Sequence, residues 1–150
     1  MTENDFLQEI LANPDDEGPR LIFADWLEER GDPRGEFIRV QCELAGMKER
    51  KSRRRTLKTR EGELLAKHEK EWLGPLQSLA KSWEFRRGFV ARIKINTRDF
   101  IKHGEKIFQW TPVQEVFLTA GPRRVPALAV CPFLARLKAL EFNHTFMGDE

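Results

Sequence analysis

Eight cations crowd into thirteen positions of this 150-residue chain: Lys48, Arg50, Lys51, Arg53, Arg54, Arg55, Lys58 and Arg60. Such a run can neutralise several phosphates and give salt-dependent binding to nucleic acid. It has no interleaved aromatics on which bases could stack and no groove-reading motif. Binding of nucleic acid, or of an acidic protein or membrane surface, through residues 48–60 is therefore the alternative role, not the leading one. Cations at a helix N-terminus oppose the helix dipole, which predicts a loop or frayed end over 47–55. The wider charge is uneven: residues 1–36 carry a net −8, residues 37–60 a net +7 and the remainder +3. The first two blocks can attract each other within one molecule or offer two distinct faces to partners.

Other chemistry is sparse. A metal site needs several Cys, His, Asp or Glu side chains at close spacing, but Cys42 and Cys131 stand apart and His68, His103 and His144 are isolated. Ser52, Ser78 and Ser82 sit in no nucleophile motif. The glycines fall at element ends instead of clustering before a helix as phosphate loops require. The expectation is a protein that is not an enzyme and holds no cofactor or metal. One mixed cluster, Asp25, Trp26, Arg34, Glu36 and Arg39, has two readings. It could bind a charged group of a partner. Alternatively, Asp25 and Glu36 could pair with Arg34 or Arg39 and set the angle between two helices, with Trp26 in the core.

No apolar run approaches the roughly 20 residues that span a bilayer. The N-terminus, MTENDFLQEI, is acidic where an export signal would be basic. With its two cysteines far apart, a soluble protein of a reducing cytosol is expected.

The elements that must position these residues are helical at first. Phe6, Leu7, Ile10 and Leu11 share one side of a helix over 4–12, capped by Asn4 or Thr2 and stopped by Asn13-Pro14. A second helix covers about 16–30, with Leu21, Ile22, Trp26 and Leu27 as its apolar face and Phe23 and Ala24 beside them. Asp15 could cap it, or Gly18 could precede Pro19 at the first helical position; Gly31 ends it. Asp32-Pro33 opens a third helix to about Ala45, with Phe37, Val40, Gln41 and Leu44 along one face. Ser52 caps a fourth helix through Trp72, on which Leu57, Leu64, Leu65, His68 and Trp72 keep a helical rhythm. Gly74-Pro75 breaks it.

From about residue 83 three segments share an apolar L-x-x-L-x-L template: Val90, Ile93, Ile95; Val113, Val116, Leu118; and Leu137, Leu140, Phe142. Their starts are 23 and then 24 residues apart, a leucine-rich-repeat period. Helical patterns lie between them, with Phe100, Ile101, Ile107, Phe108 and Trp110 in one and Val125, Leu128, Ala129, Phe133 and Leu134 in the other. Strand–helix units of this kind bury their apolar faces only by stacking. The bland alternative is a compact α/β domain with three strands and no solenoid. An open coil needs a cap, which the helical first half could supply, and the chain stops where the third unit's helix should begin.

The stretch Arg20-Leu21-Ile22-Phe23-Ala24-Asp25-Trp26-Leu27-Glu28-Glu29-Arg30-Gly31-Asp32-Pro33-Arg34-Gly35-Glu36-Phe37-Ile38-Arg39-Val40-Gln41 closely resembles the bacterial repeat-companion domain. That domain stands at the N-terminus of many planctomycete and myxobacterial proteins, and here the likeness covers roughly residues 1–46. It implies leucine-rich repeats in the remainder and no known activity. Residues 127–142 likewise resemble one bacterial leucine-rich-repeat unit, and Gly148-Asp149-Glu150 the opening of the next helix. Phe142 departs from the usual aliphatic residue, and Thr145 stands where the repeat often has Asn.

The expected fold class is mixed α and β. An N-terminal helical domain of about four helices (1–46, with a basic linker and helix over 47–75) precedes a short, parallel-stranded, leucine-rich-repeat-like solenoid (76–150). Alternation along the strands turns Arg92, Lys94, Glu115, Phe117, Ala139 and Glu141 outward. This concave face is expected to bind an unknown protein partner, with Phe117 as anchor, unless Phe117 packs against a neighbouring turn.

Overall fold

The computed structural model describes residues 1–48, 52–119, 135 and 137–142. Among the described residues the fold is mixed α/β, with six helices and a four-stranded sheet. The chain forms two compact units, Met1–Leu73 with Phe85–Phe89, and Gly74–Glu84 with Val90–Glu150.

The first unit holds four helices, and caps explain where the first three begin. Helix α1 (Glu3–Ala12) starts from Thr2, which forms a capping box with Asp5. Helix α2 (Glu17–Glu29) starts from Asp16, whose carboxylate accepts the Gly18 N–H at 2.9 Å. The cap is thus neither Asp15 nor Gly18, and Pro19 falls in the first turn, where its missing N–H costs no helical bond. Gly31, at φ +72°, closes α2 as a Schellman motif: its N–H donates to Glu28 and that of Asp32 to Leu27. Asp32 then caps α3 (Pro33–Gly46) with proline at its start, as the sequence predicts. Helix α4 runs Ser52–Leu73, so Arg53, Arg54 and Arg55 are helical and not in a loop. Glu49, Arg50 and Lys51 lie outside the described residues.

The buried stripe of α2 differs from the predicted one. It is Arg20, Phe23, Ala24 and Leu27, at i, i+3, i+4 and i+7. Ile22 is 60% exposed, and Leu21 and Trp26 are only partly covered. An arginine occupies a core position, so apolar periodicity alone puts the face in the wrong place. The stripe meets Phe6 and Ile10 of α1 and Ile38 and Cys42 of α3 in one cluster. Val40 and Leu44 of α3 pack with Leu57 of α4, and Phe37 with Trp72 at 4.7 Å between ring centres. Gly35 makes the close α2–α3 approach possible, because a Cβ there would stand 2.6 Å from the Ala24 carbonyl oxygen.

The second unit begins with a short helix, α5 (Leu76–Leu79), and the first part of a strand, β1 (Ala80–Arg86), whose last two residues belong to the first unit; the sequence patterns reveal neither element. Arg87 and Gly88 join β1 to β2 (Phe89–Asn96) in a two-residue turn, both at positive φ (52° and 90°), the signature of a type I′ hairpin. Helix α6 (Thr97–Trp110) follows, with Phe100, Ile107 and Phe108 buried. It leads to β3 (Glu115–Thr119), and β4 (Ala139–Phe142) completes the sheet in the order β1-β2-β3-β4. β2, β3 and β4 are parallel.

Their register is the one the template spacing implies. Ile93 lies opposite Val116 and Val116 opposite Leu140, while Ile95, Leu118 and Phe142 form the next row. Val113 is buried one step ahead of β3, and Leu137 is half-buried ahead of β4. Two threonines tie the crossover to the strands: Thr97 donates to the Thr119 carbonyl and Thr111 to that of Val90. The predicted helix over 125–134 lies outside the described residues.

Candidate functional site

Alternation along β2 buries Ile93 and Ile95 completely and leaves Arg92 and Lys94 exposed between them. The parallel register extends this outward face over three strands. One row is Arg92, Glu115 and Ala139; the next is Lys94, Phe117 and Glu141. All six residues expected to face a partner are therefore in two adjacent rows. Glu115 and Ala139 are half-buried and Glu141 is exposed.

Phe117 is half-buried, and the Lys94 ammonium lies over its ring at 5.3 Å from the centre. This cation–π contact desolvates one ring face without removing it from the surface. Beside it is an open groove of about 480 Å³. Arg92 and Lys94 line its floor with Ile93 between them, Phe117 forms one wall, and Ser82, Trp83 and Glu84 of β1 form the other. Sequence reasoning missed the β1 wall because it saw no strand there. The two-residue turn carries β1 back alongside β2 and so brings Trp83 to the same groove as Arg92.

The charges across the face are graded. Arg92 and Lys94 stand on β2, Glu115 on β3 and Glu141 on β4. The groove therefore combines two aromatic walls with a cationic floor, and the sheet turns anionic towards β4. Such a surface can bury an apolar side chain and orient opposed charges.

The basic segment is arranged differently. Arg53 grips Glu43 through two bonds of 3.1 and 3.0 Å, and Arg60 grips Glu36 through two of 2.6 and 2.8 Å and Glu63 at 3.0 Å. Lys58 reaches Glu61 at 3.4 Å. These hydrogen bonds hold the Glu36 and Glu43 carboxyls below the usual carboxylate range and raise Arg60 and Arg53 further. Among the described residues, Lys48, Arg54 and Arg55 make no ion pair. Arg50 and Lys51 lie outside the described residues.

The mixed cluster is dispersed among the helices. Arg39 on α3 pairs with Asp25 and with Glu28 of α2, the Glu28 contact at 2.7 Å. Glu36 turns instead to α4. Trp26 is partly buried beneath Arg30, whose guanidinium lies 3.7 Å from its ring centre. Arg34 is drawn inward, against Phe89 at 4.8 Å and Trp72 at 5.9 Å.

His68 stacks on Trp72 at 5.1 Å. Burial pushes the Cys42 thiol up to about 11. Among the described residues no group of three metal-binding side chains comes together, and no helix is long and apolar enough to cross a membrane. No family model matches the chain, and no curated protein or solved structure is found to be similar to it.

Proposed function

We propose that this chain is a non-enzymatic recognition protein: a helical companion unit followed by a short leucine-rich-repeat-like solenoid whose outward sheet face binds an extended segment of a partner protein. The observation that carries this reading is the shared register of Arg92, Glu115 and Ala139 and of Lys94, Phe117 and Glu141 at offsets of 23 and 24 residues. A ladder of main-chain bonds keeps the same step, from Gln114 N–H to the Ala91 carbonyl and from Lys138 N–H to that of Gln114. The resemblance of residues 1–46 to the repeat-companion domain supports the same architecture. A reducing cytosol would suit this cysteine usage, in which Cys42 is a free, buried thiol.

The face also suggests the kind of segment it takes. An apolar side chain fits between Trp83 and Phe117, an acidic one over Arg92 and Lys94, and a basic one towards Glu115 and Glu141. Selection from a displayed library of linear peptides tests this. Wild type is expected to enrich peptides with an acidic residue beside an apolar one. The pair Arg92→Glu and Lys94→Glu is expected to switch that acidic preference to basic. No enrichment, or the same peptides with the charge-reversed protein, would contradict the reading.

A further inference from the structure

In the helical unit Arg20 is buried and Arg34 partly buried, and neither makes a salt bridge among the described residues. Arg20 on α2 is 4% exposed, and the Nε atoms of both Arg20 and Arg34 are buried without a partner. Buried cations are costly unless something compensates them. Here main-chain carbonyls do so. Arg20 Nη1 donates to the carbonyls of Arg86 (3.3 Å) and Arg87 (3.2 Å), and its Nη2 to that of Pro14 (2.7 Å). Arg34 Nη2 donates to the carbonyl of Gly88 at 3.3 Å.

Gln41 of α3 completes the set. Its Nε2 donates to the Phe85 carbonyl at 3.4 Å and to Glu61 at 3.0 Å, while its Oε1 accepts the Gly88 N–H at 2.7 Å. Four successive carbonyls, from Phe85 to Gly88, are each met by a side chain of α2 or α3.

The shape requirements are equally local. Gly88 sits at φ +90°, and a Cβ there would stand 2.3 Å from Ile38 Cγ1 and 3.0 Å from its Cα. No larger residue fits without a shift of the helix itself. The Phe89 ring lies between two guanidiniums, Arg20 at 5.4 Å and Arg34 at 4.8 Å, and stacks near Phe23 at 6.2 Å. Phe85 meets Phe37 edge-on at 5.5 Å. Arg20, Arg34 and Gln41 meet the turn through its main chain, and the Arg87 side chain adds an exposed pair with Glu17 of α2 at 3.2 Å, a contact of little energetic weight.

We infer that the helical unit is a receptor for tight β-hairpin tips. It reads the main chain of a two-residue turn through Arg20, Arg34 and Gln41 and demands the pattern Phe-x-x-Gly-Phe. Its ligand in this chain is its own Phe85–Phe89, and it accepts the same tip from a hairpin on another polypeptide. All three readers come from the single stretch Arg20–Gln41, so the socket does not depend on the sheet face proposed for partner binding.

The test uses the full chain and a fluorescent, disulfide-closed hairpin peptide carrying Glu84–Val90. Binding is read by anisotropy. Wild type, with its socket filled, is expected to bind weakly. Phe89→Ala and Gly88→Ser chains, whose own tips fit poorly, are expected to bind at least about tenfold more tightly. Adding Gln41→Leu to either chain, or replacing the peptide's glycine by valine, is expected to abolish that gain.

The inference is overturned if neither variant chain gains affinity, or if the valine peptide binds as well as the glycine one. It is equally overturned if both variants lose their helical circular dichroism, because a receptor keeps its fold when its ligand leaves.

Discussion

Gly35 and Cys42 sit a short way apart on α3, and each answers to one local constraint. At Gly35 the constraint is space: a side chain would collide with the Ala24 carbonyl oxygen and, at 2.8 Å, with Glu28 Cγ. Gly35→Ala should therefore destabilise the helical unit by about 1–3 kcal/mol, the usual cost of overpacking. Urea unfolding followed by circular dichroism checks this, and an unchanged midpoint would count against the close crossing. At Cys42 the constraint is burial. The thiol, pushed up to about 11, carries almost no thiolate near neutrality. Iodoacetamide at about pH 8 should label the Cys42 peptide far more slowly in native protein than in denaturant; equal rates would show the thiol to be exposed. Legibility at this scale follows chemistry that is local in sequence. Asp32 and Pro33 announce a helix start because a cap needs only its own next turn. Arg20 was illegible as a core residue, since its carbonyl partners lie 66 and 67 positions away.

Between α3 and α4, acidic side chains on one helix hold the cations of the other. This explains why Arg53 can be helical despite the dipole: Glu43 compensates it. It also gives Arg53 and Arg60 carboxylate partners that would compete with a phosphate. Glu36→Gln together with Glu43→Gln should release both, and retention on a nucleic-acid column at low salt should rise above wild type. Unchanged retention would mean that these pairs do not limit the basic segment. The pH dependence has a definite sign. Both carboxyls titrate lower in the folded chain, so their contribution is present above the ordinary carboxylate range and is lost as pH falls through the folded values. The double variant should show less of the acid-induced loss, and that difference is small because the pairs are exposed. The helices themselves were legible from their periodicity and breaks. β1 was not. Its turn is Arg87-Gly88, without the Asn-Gly or Asp-Gly pair that usually marks a type I′ hairpin. The strand's Trp83 also lines the groove instead of joining the core.

Across the whole chain, the spacing of apolar residues in the second half foretold both strand direction and register. Parallel strands need a crossover, and α6 provides one between β2 and β3. Stacking at a fixed step then aligns outward residues that are distant in sequence, which is how Lys94, Phe117 and Glu141 come to share a row. The six outward positions could be read from alternation alone. The groove could not, because Trp83 enters it from a strand the pattern did not contain. The central claim is that recognition occurs on this face. Its most direct test is calorimetric titration of a library-selected peptide into wild type, Phe117→Ser and, as a control on the helical unit, Glu29→Ala. The account expects Phe117→Ser to weaken binding at least about tenfold, or about 1.4 kcal/mol, with Glu29→Ala unchanged. Equal affinity for wild type and Phe117→Ser would contradict it.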